Sequence, residues 1–132
     1  MITKAALLLF QGKGKSKELM FVRSKKPFFV FPGGKKEEGE SVEQALVREI
    51  KEELSCEIKD VSSLGKVDGV TPDGREMEMY LYTATLVGRP VPSSEIKEIE
   101  WLDKKTALAR RSEMTPMTLD KVIPFLDSHK YW

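Results

Sequence analysis

The sequence predicts an α/β protein, with a mixed sheet covered on both faces. Three observations carry this. Short apolar or alternating runs recur along the chain, separated by Gly, Pro and polar turns. One strongly signalled helix lies among them, at residues 41–55, and more helix follows the last run. Strands surrounding a central helix, with helix again at the end, pack most simply as a sheet between helical layers.

Taken in order, "ITKAALLLF" (2–10) is apolar enough for a buried strand, and "QGKGKSKE" is a polar, Gly-containing turn. "LMFVRS" (19–24) returns as the second strand of a hairpin. "KKPFFVFPGG" (25–34) predicts a short aromatic strand ending in Pro-Gly-Gly. Ser41 with Gln44 three residues on is a capping box, which starts the central helix. "CEIKDVSSLGKVDGV" contains strand, and "TPDG" is turn chemistry. "EMEMYLYTATLV" (76–87) alternates, with Met77, Met79, Leu81 and Thr83 on one side. "IKEIEWLD" (96–103) is a further strand and "KKTALARR" a short helix. The last stretch is mostly helix, interrupted near Pro124.

The 132 residues suit a single domain spanning 1–132 with one core. Hydrophobic residues make up 40% and charged residues 33%, the balance of a soluble globular chain. A net charge of +1 gives no field to draw the whole molecule onto long nucleic acid or an acidic membrane. It leaves room for a small phosphorylated ligand held by a local basic cluster. The one cysteine, Cys56, excludes an internal disulfide and fits a reducing compartment. "AALLLF" is too short for a signal or a membrane span, so a cytoplasmic protein is expected.

Residues 31–56 hold seven glutamates. At about 100° per residue, Glu52 and Glu53 lie about 60° to one side of Glu49 and about 40° to the other. All three therefore share a face, beside the core-facing Leu46, Ile50 and Leu54. Like charges one turn apart cost about 0.2–0.5 kcal/mol per pair, and anions near the helix C-terminus add about 0.3–1 kcal/mol each. A divalent ion removes the conflict. Clustered carboxylates without histidine or thiolate favour a hard ion, Mg²⁺ or Mn²⁺. For the helix alone, a solvated face with Arg48 and Lys51 as partners explains the acids equally well. The preceding loop tips the reading: Gly33, Gly34 and Gly39, with two lysines, lead into the helix and let backbone approach a ligand.

The stretch resembles the motif of the Nudix hydrolase family: Gly34, Glu40, then Arg48-Glu49-Ile50-Lys51-Glu52-Glu53-Leu54-Ser55-Cys56. Every charged position matches at full spacing. Ser55 replaces the motif's glycine, at a point where positive φ is expected, costing about 1–2 kcal/mol. Cys56 takes the terminal apolar position.

The resemblance implies the Nudix fold, an α/β/α sandwich with a mixed sheet, and Mg²⁺- or Mn²⁺-dependent hydrolysis of a nucleoside diphosphate linked to another group. By matching position, Glu49, Glu52, Glu53 and the Gly34 carbonyl would hold metal, and Arg48 with Glu40 would orient the loop. Glu53, Glu52, Arg48 and Glu95 are the candidate catalytic residues. Either Glu53 or Glu95 would take the proton of the attacking water; Glu95 also reads as an ordinary exposed acid.

Arg23, Lys35 and Phe29 are the candidate substrate contacts, the cations for phosphate and the ring for stacking on a base. A solvated hairpin end and core packing are their alternatives. Pro72, 16 residues beyond Cys56, resembles the ADP-ribose pyrophosphatase subgroup, although "TPDG" is also a plain turn. The overall size resembles the MutT-like triphosphate pyrophosphatases, active on a nucleoside triphosphate, oxidised ones included. A non-catalytic nucleotide-binding module is the alternative from another class. Oligomeric state, monomer or homodimer, is left open.

Overall fold

The computed structural model describes residues 1–71 and 73–132. Pro72, singled out above for its spacing, lies outside the described residues. The strands are β1 (Ile2–Leu7), β2 (Phe10–Gln11), β3 (Glu18–Arg23), β4 (Gly33–Lys35), β5 (Glu57–Val70), β6 (Glu76–Val87) and β7 (Glu98–Asp103). The helices are α1 (Val42–Leu54), α2 (Lys104–Ala109) and α3 (Ile123–Ser128).

A mixed sheet runs β4-β1-β6-β5, with β1 and β6 parallel and the other pairs antiparallel. A smaller antiparallel sheet runs β2-β3-β7. This is the α/β/α sandwich with a mixed sheet.

From Ala5 onward β1 is apolar and buried because both of its faces are covered, as in a parallel interior strand. Ala6 and Leu8 join Phe21, Leu81, Val122 and Leu126 in one cluster. Ala5 and Leu7 join Tyr82 and the α1 residues Leu46, Ile50 and Leu54 in another. The hydrophobic interior is thus two layers rather than one, divided by the sheet. The alternation read in β6 follows the same division: Met77 and Leu81 face the first cluster, Tyr82 the second.

Two local differences from the sequence reading have physical causes. The strand expected within residues 25–34 falls instead on Gly33–Lys35, after the aromatic run. Phe29 and Val30 make only isolated bridges, to Met114 and Val22. Gly33 is what lets the chain join β1: its φ is +136° and a Cβ there would lie 2.0 Å from the Ala5 carbonyl oxygen. The terminal helix starts with a wide π turn, Thr118–Val122, that runs into α3. Pro124 sits in the first turn of α3 and has no N–H to give, which suits it to that junction.

The terminal helical segment lies almost directly on the backbone of β5. A Cβ at Gly65 would meet the Phe125 ring at 2.7 Å, and one at Gly69 would meet Met117 Sδ at 2.4 Å. Among the described residues, no helix is long and apolar enough to cross a membrane.

Candidate active site

α1 begins on the expected capping box: the Gln44 N–H donates to Ser41 Oγ and the Ser41 N–H to Gln44 Oε1. The fixed start sets which residues of the last two turns face the glycine strand β4. Glu49 and Glu53, one turn apart, do so. Glu53 is buried at 5% exposure, and its Oε1 accepts the Gly33 N–H at 3.0 Å. Glu49 lies flat against Gly34, where a Cβ would stand 2.5 Å from Cδ. A side chain at position 34 would displace this carboxylate, so the glycine is a steric requirement of the site.

The third acid comes from the loop before β7. That loop is tied to the end of α1 by two backbone bonds, Val91 N–H to the Leu54 carbonyl and Ser93 N–H to the Glu53 carbonyl, each 2.9 Å. Ser55 is left-handed at φ 53°, the conformation foreseen for the motif's glycine, and its hydroxyl is hydrogen-bonded to that of Ser93 at 2.6 Å. Ser94 Oγ donates to Glu95 Oε2 at 2.7 Å. One carboxylate oxygen each from Glu49, Glu53 and Glu95 all lie within 4.8 Å of one another.

The sequence groups Glu52 with Glu49 and Glu53; the structure brings Glu95 there and leaves Glu52 at the rim. Glu52 is about half exposed, 3.7 Å from Arg48 Nη1. The cause is the direction already evident on the helix, where Glu52 lies on the opposite side of Glu49 from Glu53.

Arg48 ties loop to helix. It donates to Glu40 through Nε (3.1 Å) and Nη2 (2.7 Å), to Glu49 through Nη1 (2.9 Å) and to the Lys35 carbonyl through Nη2 (3.1 Å). The Arg48 hydrogen bonds hold Glu40 well below the usual carboxylate range, at about 2. Gly39 turns the chain immediately before Glu40, at φ +85°.

Burial pushes Glu53 up to about 8, and the nearby charges of Glu49 and Glu95 push the same way against the Gly33 N–H. Glu95, held by Ser94, is shifted down. A buried acid that is costly to ionise beside two other acids fits a divalent cation, and the all-oxygen donor set suits a hard one.

The candidate substrate contacts separate. Phe29 is wholly buried, edge-on to Phe21, with the Arg23 and Arg110 guanidiniums over its ring at 4.2 and 5.0 Å. It offers no ring face to a base, which corrects the stacking expectation. Arg23 is also committed elsewhere: it donates to Glu98 at 2.7 Å and to Glu113 at 2.9 Å, holding β3 to β7 and to the turn after α2. Its expected role as a free phosphate cation is corrected accordingly. Lys35 is exposed at the end of β4.

Beside Gly33 and Gly34 opens a cavity of about 300 Å³, with apolar walls from Val30, Phe31, Met77, Met79 and Met117. Lys4 also lines it. Sequence reasoning passed over Lys4; the available signal was a single charge within an apolar strand. A larger cleft of about 650 Å³ adjoins through Met77 and Met117 but does not touch Gly33 or Gly34.

A model of the NUDIX domain family matches residues 2–123. Over 93 residues the chain is 36% identical to the ADP-ribose pyrophosphatase of Methanocaldococcus jannaschii, covering 67% of this chain and 55% of that one. Over 58 residues it is 44% identical to the 8-oxo-dGTP diphosphatase of Proteus vulgaris, covering 44% and 51%. The matched stretch thus spans only about half the length of these curated relatives. A solved NUDIX hydrolase from Nitrosomonas europaea superposes with a TM-score of 0.79 at 18% identity, covering 98% of this chain and 90% of that one.

Proposed function

The chain belongs to the NUDIX domain family, and on that premise we propose that it is a Mg²⁺- or Mn²⁺-dependent pyrophosphohydrolase. Its substrate is a nucleoside diphosphate linked to a further group, first a nucleoside triphosphate, cleaved to the monophosphate and pyrophosphate. The observation that carries the reading is the approach of Glu49, Glu53 and Glu95 to within 4.8 Å beside the glycine strand. A protein that merely bound nucleotide would have no need to assemble three acids at that cost.

Glu49, Glu53 and Glu95 would hold the ion, with Glu52 at the rim. When bound, the ion neutralises diphosphate charge and lowers the pKa of water. Arg48 keeps Glu49 and the loop in place. Water attacks one phosphorus, its proton passes to Glu53 or Glu95, and the bond from that phosphorus to the bridging oxygen breaks, releasing monophosphate and pyrophosphate. The cavity walled by Phe31, Met77 and Met79 takes the nucleoside end. A cytoplasmic location belongs to the same proposal, supported by the unpaired Cys56.

Hydrolysis of ADP-ribose is the second reading, favoured by the longer match to the Methanocaldococcus enzyme. A panel of nucleoside triphosphates and nucleotide sugars, with product identification and with or without Mg²⁺ and Mn²⁺, tests both. Pyrophosphate from a triphosphate supports the first, AMP from ADP-ribose the second. Binding with no turnover across the panel defeats both.

A further inference from the structure

The least expected charge in the molecule is Lys4. β1 is an interior strand between β4 and β6. Lys4 shares its face with Ile2 and Ala6, both of the first core cluster, yet carries an ammonium, half-buried at the cavity wall. Such a charge is expensive unless something compensates it. Its neighbours make matters worse. Its antiparallel partner across the sheet is Lys35, and like charges directly opposite repel. Its parallel partner is Met79, which is apolar. Burial, then Lys35 and Lys26, push its pKa down, while Glu53 and Glu49 pull it up. Among the described residues, no carboxylate lies within ion-pair distance of it.

Those two glutamates are the acids that a bound cation would neutralise. With the site loaded, Lys4 is left among positive charges only. Charge balance then requires an anion in the cavity. The position defines which one. The walls beyond Lys4 are apolar, suited to a flat, poorly charged group. Gly33 and Gly34 line the same cavity, and Glu49 lies against Gly34. A ligand with its apolar end in the cavity and its phosphates running to the acids passes its first phosphate over Lys4.

We infer that Lys4 is a substrate-binding residue that holds the phosphate attached directly to the cavity-bound group, so the site selects 5′-phosphorylated nucleosides over nucleosides once the acids are neutralised. This rests on the proposed function, and it adds a residue to it.

The test is binding, in Mg²⁺, of the four 5′-ribonucleoside monophosphates and the four matching nucleosides by calorimetry. Wild type is expected to bind at least one monophosphate roughly 10–100-fold more tightly than its nucleoside, the yield of one charge-assisted contact. Lys4→Met should abolish that preference and keep the nucleoside affinity; Lys4→Arg should retain most of it. Both variants should melt no lower than wild type, Lys4→Met because it removes an uncompensated charge, and Lys4→Gln serves if the methionine variant fails to fold. In Mg²⁺, Lys4→Met should raise KM for the turned-over substrate with a smaller change in kcat. A preference that survives in Lys4→Met, or one absent from wild type, overturns the inference. Failure of wild type to hydrolyse any substrate while the Lys4-dependent preference persists would overturn the proposed activity instead.

Discussion

Two ionic clusters lie at opposite ends of the chain's logic. In one, Arg23 and Arg110 face Glu98, Glu100 and Glu113; Glu113 accepts from both arginines, and each other acid has its own. In the other, Glu49, Glu53 and Glu95 converge, and only Glu49 has a guanidinium on it. Both are dense and both are partly buried. The first is nearly self-compensating, and it serves the structure by clamping β3, β7 and the turn after α2 around Phe29. The second is left with surplus negative charge, which the fold tolerates only by protonation or by a cation. Uncompensated charge, rather than charge as such, is therefore the mark of the site.

The sharpest break of this contrast is Glu53→Gln. Turnover should fall roughly 10²–10⁴-fold with the fold intact, measured on whichever substrate the panel identifies. Stability carries a second signature. Burial raises Glu53 from 4.5 to about 8, so the metal-free folded chain retains a proton that the unfolded chain releases. That contribution is complete below about pH 4.5 and is lost as pH rises through 8. Its slope is at most about 1.4 kcal/mol per pH unit. Denaturant titrations in EDTA across this window should show the decline in wild type and its absence in Glu53→Gln. Equal pH slopes in the two proteins would mean that Glu53 is not the surplus charge.

Gly34→Ala comes next. Its methyl would strike Glu49, and displacing a ligand from its support costs roughly 10–100-fold in metal affinity. Mn²⁺ titration measures this directly, and unchanged affinity would detach Glu49 from the ion. Arg23→Met probes the compensated cluster. It should lower the melting temperature and leave KM unaltered. A tenfold rise in KM with an unchanged melting curve would restore Arg23 as a phosphate contact. The smallest effect is expected from Ser55→Gly, which relieves the left-handed strain for a net gain of about 0.5–1 kcal/mol at unchanged kcat. A loss of activity there would give the Ser55–Ser93 hydrogen bond a part in holding Glu95.

The parts of the molecule legible from residues alone are those governed by local rules. The capping box at Ser41, the extent of α1 and the alternation of β6 depend on short-range geometry and periodicity. Glu95 is legible only through the family resemblance, and its approach to Glu53 depends on backbone bonds from a loop that has no local signature. β4 was hidden because Gly-Gly-Lys has no strand preference; the strand exists through close approach to β1. Arg23 and Phe29 were read as substrate contacts because their partners, Glu98, Arg110 and Glu113, lie some 75 to 90 positions away in the chain. Lys4 was passed over for the same reason: its cost becomes apparent only once Lys35 is known to stand opposite.

Gly69 has a consequence that reaches beyond packing. It sits on β5, an edge strand of the larger sheet, and the thioether of Met117 rests against it. Met117 is also one wall of the cavity beside Gly33 and Gly34. A bulkier residue at 69 would displace that wall and reshape the cavity, without touching Glu49, Glu53, Gly34 or Lys4. Which molecules fit can thus be reset from the rim of the fold while the reaction chemistry stays as it is.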